Sequence, residues 1–278
     1  MKNTKLLALY GLKFNPFTSE VPTEALHITS KLENFCWRIE HSLIREGGFA
    51  LISGEAGTGK SVSLRVLSQR LTQIRDVQVG IIAHSSSNLA DFYRELGDVF
   101  GVTLSAHNRW NGFKTLRERW IHHMESTLLR PVLFIDEAQE MRTYVLNELR
   151  LLSSMQFDSR LLLSVVLAGD QRLNDKLRKE ELIPLGSRIR IRFNTEYASS
   201  EELMQTLQHL LISAGNPQLM SSELMKTLCD HSLGNYRLLC GMAAELLDTA
   251  ARQERTQLDE KLYLECFAVP SPSRKQKI

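Results

Sequence analysis

Between Gly48 and Asn194, short apolar runs rich in β-formers alternate with segments whose apolar residues recur at helical spacing. Phe49–Ser53 (FALIS) reads as a buried strand ending in a glycine-rich turn. Along Lys60–Ile74, Leu64, Leu67, Leu71 and Ile74 step by threes and fours, which lines one face of a helix. Val77–Ala83 predicts the next strand, and Asn88 is placed to cap a helix through Phe100. A long helix over Gly112–Leu129 leads into the strand Val132–Ile135, and a helix over Tyr144–Met155 leads into the strand Leu161–Ala168. A short strand over Ile189–Phe193 completes the series. Apolar strands separated by helices predict an α/β fold, a parallel sheet covered by helices on both faces.

After Asn194 the β-rich runs stop. Ser200–Ala214, Ser221–Ser232 and Arg237–Arg252 read as amphipathic helices separated by the turns AGNP and SLGN. The expected organisation is an N-terminal extension over 1–45, an α/β core over 46–196, a small all-helical domain over 197–266 and a basic, flexible tail over 267–278.

Composition narrows the class without fixing it. The chain has 278 residues, 43% hydrophobic and 24% charged, with 7 prolines and 15 glycines, which fits a globular protein rather than a disordered one. The net charge of +2 neither demands nor excludes a nucleic-acid partner. Cys36, Cys229, Cys240 and Cys266 lack CxxC spacing, so free buried thiols are expected rather than zinc ligands or a disulfide framework. No apolar run reaches bilayer-spanning length, and the start carries no convincing cleavage site; a cytoplasmic protein is expected.

The candidate chemistry begins at Gly54-Glu55-Ala56-Gly57-Thr58-Gly59-Lys60-Ser61, a full match to the P-loop pattern GxxxxGK[ST]. Its glycines let the backbone curl around phosphate oxygens, Lys60 brings a positive charge to the β- and γ-phosphates, and the Ser61 hydroxyl can ligate magnesium. A chance match in a chain this long is on the order of one per cent from average glycine usage. Downstream, the apolar run Pro131–Ile135 ends in two carboxylates. Asp136 fits the acid that holds the magnesium shell, and Glu137 the base that polarises attacking water. ATP and Mg2+ are the implied substrate and cofactor.

Taken in order, these pieces resemble the ExeA/TnsC-like AAA+ ATPases, which include secretion-associated ATPases and the transposition regulators TniB, IstB and MuB. The resemblance rests on Gly11-Leu12-Lys13-Phe14-Asn15-Pro16-Phe17, Gly47-Gly48-Phe49 before the P-loop, Asp136-Glu137-Ala138-Gln139, Glu148–Ser153 and Val166-Leu167-Ala168-Gly169. It implies an AAA+ core with a helical lid, and roles at matching positions. Asp170 falls at the γ-phosphate sensor, beside Gln171. It departs from relatives in which glutamine follows the glycine directly, and an acid there repels phosphate unless it holds a cation or water. Arg188 falls at the arginine finger that completes a neighbouring subunit's site, with Arg190 in reserve. Arg237, in Gly234-Asn235-Tyr236-Arg237, falls at the second sensor, and Asn15, Pro16 and Phe17 at the segment near adenine.

Two segments are locally basic: His107–Arg130, and Arg172–Arg192 with seven Lys/Arg against three acids. Arg109, Lys114, Arg117 and Arg119, interleaved with Trp110, Phe113 and Trp120, have the composition of a phosphate-backbone track. A solvated helix face with its aromatics in the core reads equally well. The resemblance favours DNA: an ATP-dependent ring or filament on duplex DNA that recruits a transposase, with the basic tail around Arg274, Lys275 and Lys277 as the contact for it. Two other readings stand beside it. A secretion-associated motor expects a membrane segment and an envelope-binding domain, and an ATP-controlled adaptor expects little turnover.

Overall fold

The computed structural model describes residues 3–104, 108–156 and 159–267. The basic positions Arg274, Lys275 and Lys277, and His107, lie outside the described residues. Contacts divide the chain into an α/β unit, Ile28–Glu196, and a helical unit drawn from Met1–His27 and Tyr197–Ile278. The helical unit contributes α1 (Asn3–Tyr10). The α/β unit opens with α2 (Ser30–Arg38), which runs on through a π-helical stretch over Ile39–Leu43. There follow β1 (Gly48–Gly54), α3 (Lys60–Thr72), β2 (Val77–Ile82), α4 (Leu89–Phe100) and α5 (Arg109–Ser126). Then come β3 (Arg130–Ile135), α6 (Thr143–Leu152), β4 (Ser164–Gly169), α7 (Gln171–Leu177) and β5 (Ile189–Thr195). The helical unit resumes with α8 (Ser200–Ala214), α9 (Ser222–His231), α10 (Tyr236–Arg252) and α11 (Glu260–Phe267).

The five strands pair in parallel in the order β2-β3-β4-β1-β5. The inner strands β1, β3 and β4 are buried along nearly their whole length, as continuous apolar runs require when helices cover both faces. The edge strand β2 is only partly buried, and on β5 buried and exposed positions alternate, the exposed ones including Arg190 and Arg192. Charged side chains there discourage the open edge from pairing with another chain. Beneath the sheet, Phe92, Leu96 and Phe100 of α4 pack with Leu116 and Trp120 of α5. Phe100 and Trp120 meet edge to face at 5.2 Å. This order places the C-terminal tips of β3, β4 and β1 side by side, where ligands bind in open α/β sheets.

Most element boundaries shift from the expected ones by a residue or two; three differences have identifiable causes. The helix expected over Tyr144–Met155 stops at Leu152, and Ser154–Met155 pairs antiparallel with Arg160–Leu161. Gln156 sits at φ 52, a left-handed turn that closes this hairpin. The strand expected from Leu161 therefore starts only at Ser164, after Ser153 O has accepted from Leu162 N at 2.7 Å. The helix expected over Gly112–Leu129 starts earlier, where Asn108 accepts from Asn111 N, and ends before Leu128 turns left-handed at φ 59. Helices α1, α2 and α11 lie where no element was read.

Within the helical unit, Leu6, Tyr10, Leu12 and Phe17 join one core with Leu203, Leu207 and Leu246. The Tyr10 hydroxyl donates to Arg255 O at 3.0 Å, and Asn216 Nδ2 donates to Tyr10 O at 2.9 Å. Residues 1–45, expected as one extension, are thus shared between the units at His27/Ile28, because the apolar residues of the first stretch are buried by α8 and α10. A reciprocal Ser199/Glu202 capping box starts α8, and Gly215, left-handed at φ 100, ends it.

Candidate active site

The phosphate loop is shaped by what surrounds its glycines. A Cβ on Gly54 would lie 2.1 Å from Thr195 Oγ1 and 2.2 Å from Thr195 O, so only glycine lets β1 leave the sheet here. Gly59 faces open space but sits at φ 99, where other residues are strained. Thr58 Oγ1 lies 2.7 Å from both Glu55 O and Thr195 Oγ1, and Thr195 Oγ1 lies 3.2 Å from Ser53 O. These two buried hydroxyls tie the loop to the end of β5. Lys60, 7% exposed, donates to Gly54 O and Glu55 O, each at 2.9 Å. An ammonium carries three donors, so one remains for a phosphate oxygen. No side chain caps α3 and no acid occupies its first turn, which leaves its amide groups open to an anion.

At the tip of β3, Asp136 Oδ2 accepts from the Ser61 hydroxyl at 2.8 Å. A hydroxyl and a carboxylate oxygen so close together are hard oxygen donors of the kind that suits Mg2+, and Ser61 and Asp136 would hold such an ion. The Glu137 N–H donates to Asp136 Oδ1 at 2.9 Å. Glu137 itself is left-handed at φ 50 and exposed, a conformation costing about 1–3 kcal/mol. The buried Gln139 donates its side-chain amide to Glu137 Oε2, and Asp170 N–H donates to Gln139 Oε1 at 3.3 Å.

Asp170 caps α7. Its carboxylate accepts from Arg172 N at 2.9 Å and from Arg172 Nε at 2.8 Å, and Arg172 Nη2 also lies 3.0 Å from Glu140. The Arg172 guanidinium holds the Asp170 carboxyl below its usual range, so an ionised acid at this position has its own cation beside it. Within the α/β unit the structure therefore gathers Lys60, Ser61, Asp136, Glu137 and Asp170. Arg188 stands in the turn before β5, donating to Pro184 O, and Arg190 pairs with Glu46. Arg237 and Asn15–Phe17 belong to the helical unit. Arg237 is exposed in the first turn of α10, its N–H bound to the capping Asn235 side chain at 2.9 Å. Asn15 Oδ1 accepts from Phe17 N at 3.0 Å, while Phe17 is buried in the helical core. Thr195 and Gln139 escaped the sequence reading as site residues. Nothing in the stretch around Thr195 marks it, whereas Gln139 stood in the DEAQ run as a possible signal.

Residues 44–177 match the AAA domain family. Among solved structures, the Aeropyrum pernix ORC2 protein in its ADP form aligns with a TM-score of 0.73 at 14% identity, covering 90% of this chain and 70% of that one. The structure of Drosophila ORC bound to DNA aligns at 0.69 and 15% identity, covering 96% and 66%. The fold is that of AAA+ P-loop NTPases. General secretion pathway protein A of Aeromonas hydrophila is 29% identical over 234 residues, 83% of this chain. The chain spans 42% of that relative's length. Among the described residues, no helix is long and apolar enough to cross a membrane.

The basic helix α5 of the α/β unit divides its residues among several tasks. Trp120 is fully buried, while Trp110 is 73% exposed and stacks on Phe113 at 6.0 Å. Arg117 lies 4.9 Å over the Phe113 ring and donates to Leu151 O at 3.1 Å. Lys114 pairs with Glu118 one turn on, and Arg119 is exposed. Arg109 grips Glu148 with two donors, Nε to Oε1 at 2.9 Å and Nη2 to Oε2. Glu148 is 2% exposed and also accepts the Tyr93 hydroxyl. Arg109→Ala leaves that carboxylate buried without its cation. The expected loss is about 1–3 kcal/mol in urea unfolding, below the value for a fully buried pair because the Arg109 side chain is 60% exposed. An unchanged unfolding midpoint would show that the pair contributes nothing to the fold.

Proposed function

We propose that this chain is an ATPase whose nucleotide state controls its assembly on duplex DNA. The observation that carries the enzymatic part is the meeting of Ser61, in the first turn of the helix after the phosphate loop, with Asp136 and Glu137 at the tip of β3, and Lys60 beside Ser61 under the same loop. Lys60 and the α3 amide groups bind the phosphates, and Ser61 with Asp136 hold the metal. Bound Mg2+ would neutralise charge on the β- and γ-phosphates. Glu137 takes the proton of the attacking water.

Assembly is head to tail, Arg188 of one copy reaching the phosphates bound by the next. ATP-bound copies form a ring or filament that follows the DNA backbone without reading sequence, and the assembly regulates transposition by recruiting or activating a transposase. Support comes from the ExeA/TnsC-like motif order and from matched structures that are complexes with DNA, those of Drosophila ORC and Aeropyrum pernix ORC1. The test is binding to a random-sequence duplex with ATP, with ADP and without nucleotide, followed by electron microscopy. Salt-sensitive binding that needs ATP, with rings or filaments, is the expected result.

A second reading is favoured by the Aeromonas hydrophila relative: a secretion-associated ATPase whose partner is another protein. Folded, ATP-binding protein that ignores DNA at low salt would replace the first reading with this one.

A further inference from the structure

Gln139 lies in the short helical turn after Glu137 and is 5% exposed. Its side-chain amide is held at both ends. The nitrogen donates to the Glu137 carboxylate, and the oxygen accepts from Asp170 N–H at 3.3 Å. The backbone beneath is pinned by Lys176, whose Nζ donates to Gln139 O at 2.6 Å and to Met141 O at 2.7 Å. Room for the amide depends on Gly169, where a Cβ would stand 2.6 Å from Gln139 Oε1. The chain of contacts then continues from Asp170 through Arg172 to Glu140, the residue next to Gln139.

We propose that Gln139 is a positioning residue for hydrolysis, registering the Glu137 carboxylate on the loop at the end of β4. Only a primary amide of this length does both jobs, because it offers a donor to a carboxylate and an acceptor to a backbone N–H at once. Glutamate keeps the acceptor but loses the donor and sets a second negative charge beside Glu137. Alanine loses both contacts, and asparagine is one methylene short. The inference rests on the ATPase reading.

The experiment compares wild type, Gln139→Ala and Gln139→Glu in three measurements: steady-state ATP turnover, equilibrium affinity for Mg-ATP, and amide hydrogen exchange of the nucleotide-free protein. Both variants are expected to lose about 10- to 100-fold in kcat, since a displaced catalytic group costs that much, with ATP affinity within about twofold of wild type. Exchange separates them. The Asp170 amide should exchange faster in Gln139→Ala and stay protected in Gln139→Glu. Unchanged kcat in both variants overturns the proposal, as does an affinity that falls in step with kcat or an Asp170 amide indifferent to the alanine change. A wild-type chain that binds Mg-ATP without turning it over removes the ATPase reading and the positioning role together. Turnover in wild type with indifferent variants removes the positioning role alone.

Discussion

Turnover of ATP by Glu137→Gln is expected to fall by about 10²- to 10⁴-fold, with nucleotide affinity retained. The substitution removes one chemical capacity and little else. Ser61 and Asp136 keep their 2.8 Å hydrogen bond, and Lys60 keeps its two carbonyl partners. The Glu137 side chain is exposed, so an isosteric amide costs no burial, and its oxygen still accepts from Gln139. What it cannot do is take a proton from water. If ATP holds copies together on DNA and hydrolysis releases them, the variant should persist there: its ATP-dependent complexes should outlive those of wild type in a dissociation assay. Single-turnover kinetics give the first number and DNA lifetimes the second. Wild-type turnover would remove Glu137 from the base role. Slow turnover with unchanged DNA lifetimes would separate hydrolysis from release.

The phosphate loop and the acidic strand tip were legible because their chemistry is written in contiguous residues. Gly54–Ser61 is a local pattern, and Asp136-Glu137 follows an apolar run whose burial is also local information. Strand existence was legible for the same reason: β1, β3 and β4 are continuous apolar runs, the signature of burial on both faces. The features that escaped are those made by long-range contact. Thr195 completes the phosphate loop from a strand 137 residues away, and no spacing rule reaches that far. Gln139 was visible as a letter in a motif, but its task depends on where the end of β4 comes to lie. Helix α1 escaped because it is short and takes its stability from tertiary burial, whereas α2 carries Leu32, Phe35, Cys36 and Ile39 at helical spacing, a local signal that was present and not read.

The basic helix shows how composition misleads in the other direction. Four cations on α5 suggested one continuous track, yet Arg109 serves a buried carboxylate, Arg117 an aromatic ring and a carbonyl, and Lys114 a neighbouring acid. Charge counted along a sequence includes cations that are already engaged. A DNA-facing surface has to be sought among those left to solvent, such as Arg119, rather than in the segment's total.

Lys60→Ala should weaken Mg-ATP binding by about 10- to 100-fold, since a hydrogen bond to a charged group is worth about 1.5–3 kcal/mol and each 1.4 kcal/mol is tenfold. Hydrolysis should drop below detection, because the same charge is needed as negative charge redistributes over the γ-phosphate. Binding suffers through the loop as well as through the missing cation. The Lys60 ammonium is nearly buried and bridges Gly54 O and Glu55 O, so its loss leaves two carbonyls without a shared donor and loosens the cradle. Arginine does not replace it, because its planar guanidinium needs width that a lysine 7% exposed under its own loop does not leave. Ligand-induced stabilisation reads the effect directly. Saturating Mg-ATP should raise the unfolding temperature of wild type by mass action and leave that of Lys60→Ala nearly still. Circular dichroism of both proteins without nucleotide controls for folding. An undiminished thermal shift in a folded variant would mean that this loop is not where the phosphates bind.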